Sequence, residues 1–155
     1  MMRRTIPGVI LGVGLLFLAF LPSWSWAQDL DPAALDRVAR FRNEVRALAA
    51  DLHRVAPHED TTRIRLIAYT VVSEAYRYDV PVPLVFGVLL QETWQLDGRA
   101  VSVAGARGLM QVMPRYWLRS LGPYFGYDLL DDVTNIRYGI WILAHYASMS
   151  NGDWR

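Results

Sequence analysis

The chain has 155 residues, and neither cysteine nor lysine is among them. Without cysteine there are no disulfides, no thiolate nucleophiles, no cysteine-based metal sites and no lipid-modified cysteine at an export cleavage site. All 16 basic residues are arginine, set against 15 acidic ones, for a formal net charge of +1. Setting aside Arg3 and Arg4 at the extreme N-terminus leaves 14 basic residues against 15 acidic. That balance gives no electrostatic footprint for nucleic acid. Histidine is scarce: His53, His58 and His145 show no two-histidine helical spacing, so neither a metal site nor a cofactor is expected. There is no internal repeat, no low-complexity tract and no convincing alternation of apolar and polar residues. What is present is apolar. At 53% hydrophobic and 20% charged, the chain can bury a core, and its length suits one domain.

The N-terminus reads as an export signal. Arg3 and Arg4 precede an apolar run over 9–21, Pro22 breaks it, and Ser25-Trp26-Ala27 places small residues three and one before a cut. The expected signal peptide is 1–27, giving an exported, periplasmic protein of a bacterium. The competing reading is an uncleaved anchor, the one case in which membrane contact is expected. The run is short for a span of about 20 residues.

The rest predicts helices. Asp31-Pro32 is a cap followed by proline at the first helical position. Leu35, Val38, Phe41, Val45, Leu48, Leu52 and Val55 then recur at spacings of three and four, predicting an N-terminal amphipathic helix within 28–57. Its other face, with Arg37, Arg40, Glu44 and Asp51, reads as solvated; the alternative is an arm that docks an envelope protein complex. Further helices are expected at about 61–78, 83–94, 114–121 (stopped by Gly122-Pro123) and 134–150. The fold class is all-α, with a small irregular lobe around 98–112.

The third helix carries the chemistry. Val85, Val88 and Leu89 precede Glu92 by seven, four and three residues, so an apolar stripe ends in a carboxylate. Partial burial there would raise the pKa of Glu92, as a general acid needs. The bland alternative is a solvated Glu at a helix end. Downstream, Gly105 and Gly108 allow a tight backbone near a ligand. Gln111 offers an amide suited to sugar hydroxyls and acetamido groups, and Leu109 and Met110 could wall the acid from water.

Gln91-Glu92-Thr93, the Ala-x-Ser at 100–102, and Gly105-Ala106-Arg107-Gly108-Leu109-Met110-Gln111-Val112-Met113-Pro114 resemble the signature of the soluble lytic transglycosylase (SLT) domain family. Asn135 and Gly139 resemble its next motif. The similarity spans about 64–155, so a catalytic domain is expected over 60–155. The resemblance implies a lysozyme-like fold and peptidoglycan glycan strands as substrate. It further implies non-hydrolytic cleavage of the MurNAc-β-1,4-GlcNAc bond to a 1,6-anhydro end. Glu92 would act as acid and then base, with Gln111, Met110, Ser102 and Thr93 toward the substrate and Gly105, Gly108 and Asn135 supporting the site. Asp97, beside Gly98, reads as a turn residue more than a second catalytic carboxylate. Tyr116, Trp117 and Tyr124 read more readily as core than as sugar-stacking faces.

The sequence departs from the family pattern in three places. Thr93 stands where serine is usual, and Tyr116 where threonine is common. The family continues beyond a stretch like 151–154 into a helix bearing Ala-Tyr-Asn, so the domain is expected to be C-terminally incomplete and weakly active. The alternatives are a hydrolytic muramidase on the same fold and a non-catalytic peptidoglycan-binding protein.

Overall fold

The computed structural model describes residues 31–150, so the expected signal segment at 1–27 and the terminal Trp154 lie outside the described residues. Among the described residues, 36–150 fall in one compact unit, and 31–35 are assigned to another. Five α-helices are described: α1 Pro32–Val55, α2 Thr61–Tyr78, α3 Val82–Glu92, α4 Pro114–Phe125 and α5 Asp132–Met149. There is no β-sheet among the described residues, only isolated bridges pairing Arg107 with Val101 and Val112. The class is all-α, as the spacing of apolar residues predicts.

Local chemistry sets the helix ends. Asp31 accepts from the Ala33 amide at the start of α1. Asp60 caps α2 by accepting from the Arg63 amide, and Asp131 caps α5 by accepting from Thr134. The α2 helix closes on Asp79 in the left-handed conformation.

Gly122-Pro123 does not stop α4, which runs on to Phe125. Proline removes one helical donor. The helix nevertheless closes a further turn, with the Gly126 amide bonding Gly122 O at 2.9 Å, and Gly126 (φ 104°) ends it. Gly122 is needed there because a Cβ would collide with the Tyr127 ring.

Within residues 36–155, α2 and α5 share the broadest packing. Ile64, Ile67, Val71 and Val72 of α2 meet Ile136, Tyr138 and Ile140 of α5 in one core with Val85 and Leu89 of α3. Burying each such side chain contributes about 1.5–3 kcal/mol. Tyr138 is fully buried, and its hydroxyl donates to Gly126 O at 2.8 Å. Burial pushes the pKa of that hydroxyl up. Leu48, Leu52 and Ala56, from and just after the C-terminal half of α1, belong to the same core.

Candidate active site

The third helix ends on its carboxylate. Val85 and Leu89 are buried beneath it, and Glu92 itself is exposed. The expected burial of Glu92 is therefore absent in the free protein, because the helix stops there and the chain turns. The buried position passes to Thr93, which is 3% exposed. Its hydroxyl lies 3.3 Å from Leu89 O and 3.0 Å from Leu109 O. One side chain thus ties the end of α3 to the glycine loop. In the free protein Thr93 is a buried strut between the end of α3 and the loop.

Immediately after Thr93 the backbone is strained. The chain makes a single turn over Trp94–Leu96, with Gln95 at φ 59°, ψ 25° and Leu96 at φ 59°. Each such non-glycine residue costs on the order of 1–3 kcal/mol and persists only where its surroundings hold it. Leu96 is held by complete burial and by Arg63, whose Nη2 donates to Leu96 O at 2.8 Å. Asp97 then forms a local turn, accepting from the Arg99 amide at 2.9 Å, as its place beside Gly98 predicts.

The loop over 100–112 is two small turns fastened together. Ser102 and Ala106 are joined by two hydrogen bonds, one of them from Ser102 N to Ala106 O at 2.9 Å. Ser102 Oγ in turn accepts from the Ala106 amide at 3.0 Å. Arg107 and Val112 exchange two backbone hydrogen bonds, and Gly108 N donates to Ala100 O. Gly105 (φ 89°) and Gly108 (φ 71°) occupy left-handed positions. At Gly108 a Cβ would also strike Asn135 Nδ2 and Leu129 O.

Asn135 holds this loop from α5. It is fully buried, its Oδ1 accepts from Met110 N at 2.7 Å, and its Nδ2 donates to Arg107 O and Leu129 O, each at 2.8 Å. Met110 is 7% exposed and packs against Gly139, where any Cβ would collide with its side chain. In the free protein Met110 joins the core, drawn inward by the space Gly139 leaves. Gln111 stands at φ 46°, its Nε2 donating to Gly108 O at 2.9 Å and Ala100 O at 3.4 Å. These bonds fix the amide plane, and no described residue donates to Oε1.

Elsewhere, Tyr116 and Tyr124 are exposed rather than core. Arg115 covers the Tyr116 ring at 4.6 Å. Trp117 is half-buried edge-on to Trp141, and His145 stacks on Trp141 at 5.1 Å. No group of three or more metal-ligating side chains occurs among the described residues. No described helix is long and apolar enough to cross a membrane.

Sequence reasoning missed two features of the site, the strained pair Gln95-Leu96 and Arg63. Neither has a local signal, since an arginine in the first turn of an amphipathic helix looks solvated.

A helical domain that ends one helix on an exposed carboxylate, strapped to an asparagine-pinned glycine loop, is consistent with the lysozyme-like fold that the resemblance implies. The family model described as "Transglycosylase SLT domain" matches residues 70–155, and the chain belongs to that family. Membership makes it a protein of the lytic transglycosylase type, with peptidoglycan as the substrate class. No curated protein and no solved structure was found to match it.

Proposed function

We propose that the chain is an exported lytic transglycosylase that cleaves the MurNAc-β-1,4-GlcNAc bond with Glu92 as its one catalytic carboxylate. The carrying observation is the Thr93 strut, which seats the glycine loop directly behind the exposed end of α3. Glu92 is thereby presented to solvent from a rigid base.

In this reading Glu92 enters protonated and gives its proton to the glycosidic oxygen as the bond to C1 breaks. The resulting carboxylate takes the proton from the muramic acid 6-hydroxyl as O6 bonds to C1. The carboxyl is regenerated and no water is consumed. Sequential use lets one carboxylate do what most glycosidases divide between two. Glu92 is exposed in the free protein, so the bound glycan itself is what would exclude water from the acid. Gln111, its donors already bound to carbonyls, presents Oε1 as an acceptor for a sugar hydroxyl or acetamido N–H.

Mass spectrometry of digested peptidoglycan tests the proposal. Anhydro-muramic ends that disappear with Glu92→Gln are expected. Reducing ends one water heavier would make the protein a hydrolytic muramidase, and unchanged cutting by Glu92→Gln would falsify the assignment of the acid.

A further inference from the structure

We infer that Arg63 is a positioning residue that couples the two halves of the candidate site, the outlet of the Glu92 helix and the glycine loop. The inference rests on the function proposed above.

Arg63 lies in the first turn of α2, and its guanidinium reaches three partners from other parts of the chain or its own flank. Nη2 donates to Leu96 O at 2.8 Å, four residues after Glu92. Nε donates to Asp132 Oδ2 at 2.7 Å, and Nη2 reaches Asp132 Oδ1 at 3.2 Å, a two-pronged grip on the first residue of α5. Nη1 pairs with Glu59 at 2.6 Å. Half-buried between these groups, the guanidinium is held in its charged form chiefly by the hydrogen bonds it donates to Asp132.

Each attachment leads to one side of the site. Leu96 is the second of two adjacent left-handed non-glycine residues, and its carbonyl orientation depends on that strained turn. An arginine that fixes the carbonyl fixes the path by which the chain leaves Glu92. Asp132 lies three residues before Asn135 on the same helix, and Asn135 holds Met110 N and Arg107 O. An arginine that fixes the start of α5 fixes the register in which Asn135 meets the loop bearing Gln111. Gly98 completes the fit: a Cβ there would collide with Asp132 Oδ1 and the Arg63 guanidinium, so the turn must pass close over the pair. The two-point geometry needs a planar fork. A lysine ammonium reaches one partner and leaves the other.

Arg63→Met and Arg63→Lys, each compared with the native chain, test the coupling by amide hydrogen exchange and by kinetics on solubilised glycan strands. Faster exchange is expected in both variants at 94–97 and 109–111, ahead of global unfolding, with Lys intermediate. Turnover should fall roughly 10- to 100-fold in Arg63→Met, with KM changed less than about twofold, as expected for a displaced acid over an intact groove. Native exchange at both segments in either folded variant overturns the inference, as does a rise in KM with turnover unchanged. Should Arg63→Met fail to fold, the Lys variant decides. The exchange measurement needs no substrate. A native chain that cuts nothing therefore defeats the function proposed above and leaves the coupling to be decided by exchange.

Discussion

Asn135 commits both donors and its acceptor to three backbone groups, two of them in the loop that carries Gln111. Asn135→Ala leaves Met110 N and Leu129 O without this partner, at about 1–3 kcal/mol for each group left unsatisfied, while Arg107 O keeps its bond from Val112 N. Asn135→Asp keeps an acceptor for Met110 N but turns a carboxylate oxygen toward two carbonyls, so it should be no better. Urea unfolding should place both variants about 2 kcal/mol or more below the native chain; a native midpoint for Asn135→Asp would show that the carbonyls are not what the amide serves. A second residue-scale outcome concerns pH. The Arg63 amide bond holds the Asp60 carboxyl below its ordinary pKa. The folded value is the lower one, so the cap's contribution is full above the unfolded pKa. It is lost as pH falls through the folded value. Asn at this position caps without titrating, so melting curves at about pH 6 and pH 2.5 should show the native chain losing more stability than Asp60→Asn. The tight turn at Gly108 was legible because glycine takes positive φ without strain, whereas Asn135 was singled out only by the resemblance to the family motif. The burial of Thr93 and Met110 was not legible, because proximity to Glu92 in sequence says nothing about which side of the chain a side chain takes once the helix has ended.

At the scale of elements, α2 and α5 are joined through a buried charge. Glu74 is 2% exposed, its Oε1 accepts from Arg137 Nε at 3.2 Å, and Arg77 lies 3.6 Å from Oε2. Oε2 has no hydrogen-bond partner among the described residues. A carboxylate so placed depends on its arginine. Arg137→Met should cost about 3 kcal/mol, because it removes the hydrogen-bonded partner of a buried carboxyl and leaves only Arg77 at 3.6 Å. Replacing both partners, Glu74→Leu with Arg137→Met, should recover most of that loss, since buried pairs often fare no better than apolar side chains of similar volume. Equal instability of the single and double variants in urea would mean that the pair contributes nothing beyond packing. The helices themselves were legible from apolar spacing and capping residues, and four of the five began or ended within a few residues of expectation. The exception was the end of α4. Its Gly-Pro pair has the composition of a stop, but packing of Tyr127 against Gly122 carries the helix one turn further. The partners of Glu74 were not legible, because Arg137 is 63 residues away and only the fold brings the two together.

At the scale of the whole molecule, the open question is how much of α1 belongs to the catalytic unit. Its apolar stripe reads as continuous in sequence, yet its residues divide. Val38 is 55% exposed, whereas Leu48 is 4% and Leu52 0% exposed. Between them Phe41 meets the rings of Tyr69 and Tyr76 edge-on at 5.8 and 5.7 Å, and Tyr76 donates to Glu44 at 2.7 Å. Periodicity identifies the face of a helix but not how far along it a partner extends, so the division was invisible before folding. It has a consequence for stability. Leu52→Ala should cost about 2–5 kcal/mol as a cavity in the shared core, while Val38→Ser should stay within about 0.5 kcal/mol as a surface change. A chain beginning at residue 58 removes Leu48, Leu52 and Ala56 together, and the losses should combine to leave residues 58–155 unfolded or barely folded near 37 °C, since a domain of this size has only about 5–15 kcal/mol to lose. Circular dichroism melts of the three variants decide the matter. A fully stable 58–155 chain would make α1 a separable arm, free for a docking role. Its collapse, alongside a tolerated Val38→Ser, would make the C-terminal half of α1 part of the enzyme's core and confine any docking role to the exposed N-terminal half.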